Sequence, residues 1–299
     1  MKVNGIAIDD TFAEAFGMAG TGVIITADTM KWARIAAVTM SGFGTSVIGA
    51  GAEVGIDREL SPDETPDGRP GVRVLLFGFS PESAAAQLKT RVGQCVLTSP
   101  GSACYAGVDT KKRIGLGQGP RFFGDGFQTS KRLGKSRYWR VPVMDGEFVI
   151  EETTGIVTDA VGGGNILILG NDRVGLLETA EAAVEAIGGV ADVITPFPGG
   201  IVRSGSKVGS KYAGAIASTN DAFCPTLRGR VKSELAPDTI AVLEIVIDGL
   251  TSDSVAQAMK VGMKTVLDMG APKGVTRITA GNYGGKLGQY HYKLRELLP

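Results

Sequence analysis

Glu244 lies in the run Leu243-Glu-Ile-Val-Ile-Asp248, where alternation along the backbone decides what its carboxyl can do. On a strand, successive side chains point to opposite faces. Leu243, Ile245 and Ile247 share one face, which must lie against helices, and Val242, Glu244 and Val246 share the other. One reading makes Glu244 a salt-bridged or solvent-facing glutamate on an open sheet. The other makes it a partly desolvated carboxyl whose pKa rises until it can be protonated near neutrality and act as an acid. Upstream, the stretch ASTNDAFCP (217–225) gathers hydroxyls, an amide and a carboxylate into a few residues. Such a stretch serves turns and helix caps, or forms the polar edge of a pocket for a heteroatom-rich ligand.

Other chemistries lose their parts. His291 is the only histidine, which leaves histidine-based triads and H-E-x-x-H zinc sites without their members. In QYHYKL it is expected on a strand face. Cys95, Cys104 and Cys224 are odd in number and show no C-x-x-C spacing, so neither a disulfide framework nor a structural zinc site is expected. The glycine pattern from Gly49 to Gly55 resembles a dinucleotide loop, but Ile56-Asp-Arg-Glu-Leu-Ser-Pro opens a loop where that motif needs a helix N-terminus. Lys131, Arg132, Lys135, Arg137 and Arg140 could hold a polyanion or form a solvated surface loop, with Tyr138 and Trp139 expected to pack inward. With 31 basic and 31 acidic residues the formal charge is zero, against the basic excess of a nucleic-acid binder. No apolar run approaches the roughly 20 residues of a membrane span. MKVNGIAIDD has no signal-peptide core, and a cytoplasmic protein is expected.

The elements that must position these residues read as two similar series. In the first, GVIITA (22–27) is a strand and Asp28 or Thr29 caps a helix with Trp32, Ile35 and Ala36 on one face. TSVIGA (45–50) is read as a strand and 57–71 as a turn-rich loop. VRVLLF (72–77) is a strand, Ser80-Pro-Glu opens a helix to about Val92, and QCVLT (94–98) is read as the closing strand. In the second, NILILG (165–170) precedes a helix capped by Asn171 or Asp172, with Leu177, Ala180, Val184 and Ile187 in one stripe, ended by Gly188-Gly189. Then follow ADVITPF, LEIVID (243–248), a helix capped by Thr251, and TRITAG (276–281). Between the series, 109–155 is an excursion with strands at RYWRVPV and EFVIEE.

The likeness of the two series extends to their residues. Phe43 and Phe197, Gly51 and Gly205, Val54 and Val208, and Gly55 and Gly209 all differ by 154 positions. VRVLLFGFSPES (72–83) answers LEIVIDGLTSDS (243–254) at an offset of 171, which sets Arg73 opposite Glu244. An internal duplication is expected, giving an α+β fold of two tandem ferredoxin-like α/β-sandwich lobes. The N-terminal lobe would be 1–155 and the C-terminal lobe 156–299.

Several blocks carry a specific resemblance: ETPDGRPGV (64–72), GQCV (93–96), FFGDGFQ (122–128), PFPGGIV (196–202), SKVGSK (206–211), ASTNDAFCPT (217–226) and ITAGNYGGKLGQY (278–290). From about residue 10 almost to the C-terminus the chain resembles the formylmethanofuran–tetrahydromethanopterin formyltransferases. The resemblance implies formyl transfer between the amine of methanofuran and N5 of tetrahydromethanopterin, both acting as carrier co-substrates, with no metal or prosthetic group. It implies two-lobed ferredoxin-like subunits assembled as a homotetramer. It also implies a catalytic carboxyl in E-I-V-I-x-G-L, which falls on Glu244.

The zero charge departs from the acidic methanogen form, and VDTKKRIGL (108–116) lacks part of an acidic insertion. The balance fits the version in methylotrophic bacteria, implying association with other subunits of a formyltransferase/hydrolase complex. Gly199 and Gly200 are expected to supply backbone donors. Ser206, Lys207, Ser218, Asn220 and Gln289 are expected to orient substrates, and the basic run to attract the glutamyl tail of methanofuran. A scaffold or carrier-handing subunit with residual activity is the alternative.

Overall fold

The computed structural model describes residues 1–298. They form two compact units, one of residues 18–160 with 249–251, the other of residues 1–17, 161–248 and 252–298.

In the first unit β1 (Phe12–Thr26, of which residues from 18 on belong here) leads to α1 (Met30–Ser41), β2 (Glu53–Leu60), β3 (Gly71–Gly78), α2 (Pro81–Arg91) and β4 (Ala103–Ala106). The sheet order is β2-β3-β1-β4, with each neighbouring pair antiparallel. Beyond β4 the excursion adds β5 (Thr129–Leu133), β6 (Ser136–Val143) and β7 (Gly146–Glu151), and β7 runs parallel to β4. Thr29 caps α1 by accepting from Trp32 N–H, and Ser80 caps α2 by accepting from Ser83 N–H. Each cap satisfies a backbone donor that the first helical turn leaves unpaired.

Ala33, Ala36, Ala37 and Met40 of α1, with Ala84 and Leu88 of α2, cover Val23, Ile25, Val72, Val74 and Leu76. Small alanines thus face the sheet, while Trp32 and Ile35 point to solvent, against the face expected from the sequence. Two expected strands are also absent. Val47–Ala50 is a single helical turn closed by left-handed Gly51 (φ 78°), with Glu53 accepting from Val47 N–H. The paired strand begins only at Glu53 and takes in Asp57–Leu60, part of the stretch expected to be loop. Val92–Val96 continues α2 as a π-helical turn, so β4, not QCVLT, closes the sheet.

The second unit repeats the plan with β8 (Thr153–Gly170, from 161 on), α3 (Arg173–Ile187), β9 (Val193–Ile194), β10 (Ala241–Gly249), α4 (Ser252–Met269) and β11 (Val275–Thr279). Its sheet order is β9-β10-β8-β11, extended by the strand Ile6–Ile8 parallel to β11. Asp172 caps α3 through its carboxylate, accepting from Val174 and Gly175 N–H. Leu176, Ala180, Ala183 and Ile187 of α3 and Val255, Met259, Met263 and Val266 of α4 pack on Ile166, Ile168, Ile245, Ile247 and Ile278. Ala180 and Ile187 of the expected stripe are buried, but Leu176 and Ala183 face the sheet where Leu177 and Val184 were expected, and Leu177 is exposed. β12 (Tyr290–Lys293) pairs antiparallel with Phe12–Ala15.

The two plans differ most between their second and third strands. Leu60 and Gly71 are close in sequence, whereas Ile194 and Ala241 enclose 195–240. This longer connection carries most of the candidate site residues.

Candidate active site

The alternation read from LEIVID holds. Ile245 and Ile247 are fully buried under the helices, and Leu243 packs at the edge of the same core. Val242, Glu244 and Val246 are half-buried on the other face. There the returning chain pairs with β10: Val202 N–H donates to Glu244 O at 2.7 Å, and Glu244 N–H donates to Val202 O at 2.9 Å. Val202, Arg203, Ser204 and Gly205 then form one wall of a small pocket, with Asn220, Phe223 and Cys224 as another and Val242, Leu243 and Glu244 as its floor. Among the described residues nothing hydrogen-bonds or ion-pairs with the Glu244 carboxyl. Loss of water around it pushes its pKa from 4.5 up to about 7, because a carboxylate removed from water without a compensating partner is costly. A group that exchanges its proton near neutrality is what acid–base work requires.

The corresponding position in the other unit is neutralised. Arg73 lies 2.9 Å from Asp57, whose side chain is fully buried, and Arg73 Nε donates to Gly107 O. One copy of the strand therefore buries an ion pair where the other presents a lone acid.

Of the expected substrate-orienting residues, Asn220 joins the Glu244 pocket. Lys207 pairs with Asp221 at 2.7 Å, which holds the pocket's outer segment together. Ser218 Oγ donates to Gly209 O at 2.7 Å and closes the two-stranded ribbon of Lys207–Val208 and Ala217–Ser218, so its hydroxyl is structural. Gly199 and Gly200 form a turn at φ 60° and 76°. Gly200 N–H donates to Phe197 O at 2.7 Å, and a Cβ there would meet Val184 at 2.5 Å. Gly200 is thus a packing glycine against α3 with its donor engaged, which corrects its expected role as an oxyanion donor. Gln289 accepts from Gly17 N–H at 2.8 Å and pins the chain beside β1.

Two residues went unremarked in the sequence. Glu14, only 1 % exposed, accepts from four backbone N–H groups: Tyr283 at 2.6 Å, Gly285 at 2.8 Å, and Leu287 and Gly288 at 2.7 Å each. Burial alone would raise its pKa, but these four donors outweigh it and hold it at about 2. The motif GNYGGKLGQ is therefore a loop wrapped around a buried anion. Gly288 is required there, since a Cβ would lie 2.4 Å from Ala15 O. The loop presents Tyr283, whose ring packs against Phe16 with centroids 5.9 Å apart. Burial first, then the Glu244 and Glu14 charges, raise the phenol's pKa, and the contact with the Ser206 side chain partly offsets them. The available signal was the pair FAEAF and GNYGGKLG: an acid alternating with alanines on a strand, and a glycine-rich loop with N–H groups to spare.

The remaining sequence features take plain positions. His291 is exposed on β12 opposite Glu14, with its ring 4.9 Å from that of Phe12. Gly49 and Gly51 belong to the short helical turn and Gly55 lies within β2, so the glycine pattern leads into a strand and not into a helix. Trp139 packs against the core beneath the Arg121 guanidinium. Arg132 and Arg137 lie directly across β5 and β6, an unfavourable pairing of like charges. With Lys111, Arg113 and Lys135 they border a groove of about 900 Å³ that also holds Glu151 and Glu152.

Known proteins resemble the chain along its whole length. A family model described as formylmethanofuran-tetrahydromethanopterin formyltransferase matches residues 1–143, and one described as the proximal lobe of FTR matches 146–297. The formylmethanofuran–tetrahydromethanopterin formyltransferase of Methylobacillus flagellatus is 59% identical, over 100% of both chains. A subunit of the formyltransferase/hydrolase complex of Methylorubrum extorquens is 60% identical, covering 99% of this chain and 97% of its own. A chain in the crystal structure of that organism's complex with methylofuran superposes at a TM-score of 0.97 with 59% identity, covering 99% of this chain and 98% of its own. The Methanosarcina barkeri enzyme superposes at 0.93 with 45% identity, covering 99% and 100%.

Proposed function

The chain belongs to the formylmethanofuran–tetrahydromethanopterin formyltransferase family and is a formyltransferase of one-carbon metabolism, and we propose that its transfer chemistry is centred on Glu244. The observation that carries this is the unpaired, desolvated carboxyl at the floor of the pocket, with a pKa of about 7.

Methanofuran and tetrahydromethanopterin act as carrier substrates, and the reacting pterin nitrogen is N5. The lone pair of the incoming amine forms the new C–N bond while the C=O π pair moves onto the formyl oxygen. The oxygen pair then re-forms C=O as the old C–N bond breaks. The proton released by the incoming nitrogen ends on the departing one. Protonated Glu244 donates a hydrogen bond to the developing oxyanion or passes that proton. Asn220 orients the substrate from the pocket wall. Ser206 and Lys207 act from the segment that borders it. Gly199 and Gly200 shape the turn that delivers Val202 to β10, while Ser218 and Gln289 hold the surrounding chain. No residue in this scheme becomes covalently modified, and no prosthetic group is needed.

The strand order shared by both units supports reading them as two ferredoxin-like lobes from a duplication, divided at 155/156 as units of descent. We read the chain as a cytoplasmic protein that forms a homotetramer, and the relative named as a subunit of a formyltransferase/hydrolase complex supports its joining other subunits of such a complex. The groove beside β5 and β6 takes the glutamyl tail of methanofuran by charge. Assaying the isolated chain with formylmethanofuran and tetrahydromethanopterin tests the reading. Turnover by wild type and its loss in E244Q are expected; equal turnover by both would remove Glu244 from the chemistry.

A further inference from the structure

The pocket over Glu244 is small enough for its size to select what enters. Its cavity measures about 40 Å³. One water-sized sphere takes up roughly 10–15 Å³, so there is room for about three. A formyl group and the nitrogen that carries it bring three non-hydrogen atoms. An acetyl group on the same nitrogen brings a fourth.

The walls have little room to give. They already meet at one end, where a Cβ on Gly205 would lie 3.0 Å from Asn220 Cβ. One wall is fixed to the floor by the paired hydrogen bonds between Val202 and Glu244. The other is tied on both sides of Phe223. Phe223 N–H donates to Asn220 O, Glu234 N–H to Ala222 O and Leu227 N–H to Cys224 O, each at 3.0 Å. Lys207 holds Asp221 of the same turn at 2.7 Å. Within this frame Phe223 supplies an aromatic ring to the lining. It is half-buried and, among the described residues, a member of neither hydrophobic core. Its ring therefore bounds the pocket instead of filling the interior of the unit.

We propose that Phe223 determines acyl specificity, its ring restricting the group that reaches Glu244 to a single carbon. This rests on the assignment of Glu244 above, which puts the formyl oxygen at the floor of the pocket. Transfer of a larger acyl group would make and break the same bonds, with a methyl in place of the formyl hydrogen. The discrimination is therefore one of space. One extra carbon in a close-fitting pocket is worth about 10–200-fold in kcat/KM, because a packed wall yields only at the cost of strain.

The test offers formylmethanofuran and acetylmethanofuran, each with tetrahydromethanopterin, to the intact wild-type chain and to the variants Phe223→Leu and Phe223→Ala. An acetamide is intrinsically less reactive than a formamide. That difference is common to the three proteins and cancels when their preferences are compared. The ratio of kcat/KM for formyl over acetyl should narrow by about 10-fold or more in F223A and by about threefold in F223L, with acetyl transfer itself becoming faster. Unfolding midpoints are recorded beside the rates, and F223L, which keeps most of the apolar volume, answers the question if F223A does not fold. A ratio in the folded variants within about twofold of wild type overturns the proposal. So does a narrowing that comes only from slower formyl transfer, or acetyl transfer that stays undetectable. E244Q is assayed with formylmethanofuran in parallel. Its inactivity beside an unchanged ratio refutes the role of Phe223 and leaves Glu244 in place. Normal formyl transfer by E244Q removes the premise, and the proposal with it.

Discussion

Replacing Glu244 by glutamine should move activity and stability in opposite directions. The wild-type carboxyl has an ordinary pKa of 4.5 when exposed and about 7 in the fold. Ionising it in place therefore costs up to about 3 kcal/mol, at 1.36 kcal/mol per pKa unit. The side chain is half-buried, so solvent screening brings the expected figure to about 1–3 kcal/mol. For a carboxyl raised in this way the folded state binds the proton more tightly than the unfolded chain. Stability is then greatest below pH 4.5, declines as pH rises toward 7, and is level with respect to this group above that. Glutamine cannot ionise and escapes the decline. E244Q should thus unfold at higher denaturant than wild type at pH 8.5, with a smaller gain at pH 5. Its turnover should fall about 10²–10³-fold, as for loss of a positioned acid or oxyanion donor. The wild-type rate should also decline through pH 7 on the alkaline side, and the residual rate of E244Q should lack that limb. Paired unfolding curves and pH–rate profiles decide the matter. A stability difference that does not vary with pH, or a retained alkaline limb, would refute the desolvated-acid reasoning.

Glu14→Ala should cost roughly 3 kcal/mol by stranding four backbone donors, and it should speed hydrogen exchange across 283–288. Because the folded pKa of Glu14 is depressed to about 2, its contribution is present above pH 4.5 and lost as pH falls toward 2, which acid titration of wild type against E14A will show. Asp57→Ala should destabilise by about 3 kcal/mol in denaturant by removing the carboxylate that pairs with the Arg73 guanidinium in a largely buried site. Gly200→Ala should cost about 1–3 kcal/mol through its clash with Val184, read as a lowered unfolding midpoint. Reversing Arg132 and Lys135 to glutamate should raise the KM for the glutamylated carrier by about fivefold at low salt, and about 0.5 M salt should erase most of that difference.

Where local chemistry and tertiary packing agree, the sequence is readable. Thr29, Ser80 and Asp172 cap helices because a side-chain oxygen next to an N-terminus has one obvious use. Glu244 could be placed on the open face because strict alternation in LEIVID leaves a single register that buries the isoleucines. TSVIGA and QCVLT misled because short β-branched runs suit a strand and a helical turn alike. Gly51 in its left-handed turn and the continuation of α2 through Val92 resolve them. On α1 the rule that large apolar residues go inside failed, since the alanines permit a closer approach to the sheet. The site was half legible. Asn220 and Glu244 line one pocket. Gly200, Ser218 and Gln289 turned out to be occupied with the backbone, which no local pattern reveals. Glu14 and Tyr283 were missed because they are distant in sequence and become partners only when β1 meets the loop before β12.

The contrast between Arg73 and Glu244 bears on how the protein can change over generations. An enzyme with one copy of this strand would have to accept an uncompensated acid in the same framework that keeps it folded, the usual conflict between stability and activity. On the proposed assignment of the chemistry to Glu244, the duplicate carrying Arg73 and Asp57 is freed from reactivity. Substitutions that strengthen it can then accumulate without touching the proposed reacting carboxyl. The two copies therefore offer separate targets to selection, and to anyone seeking a more robust enzyme with unchanged turnover.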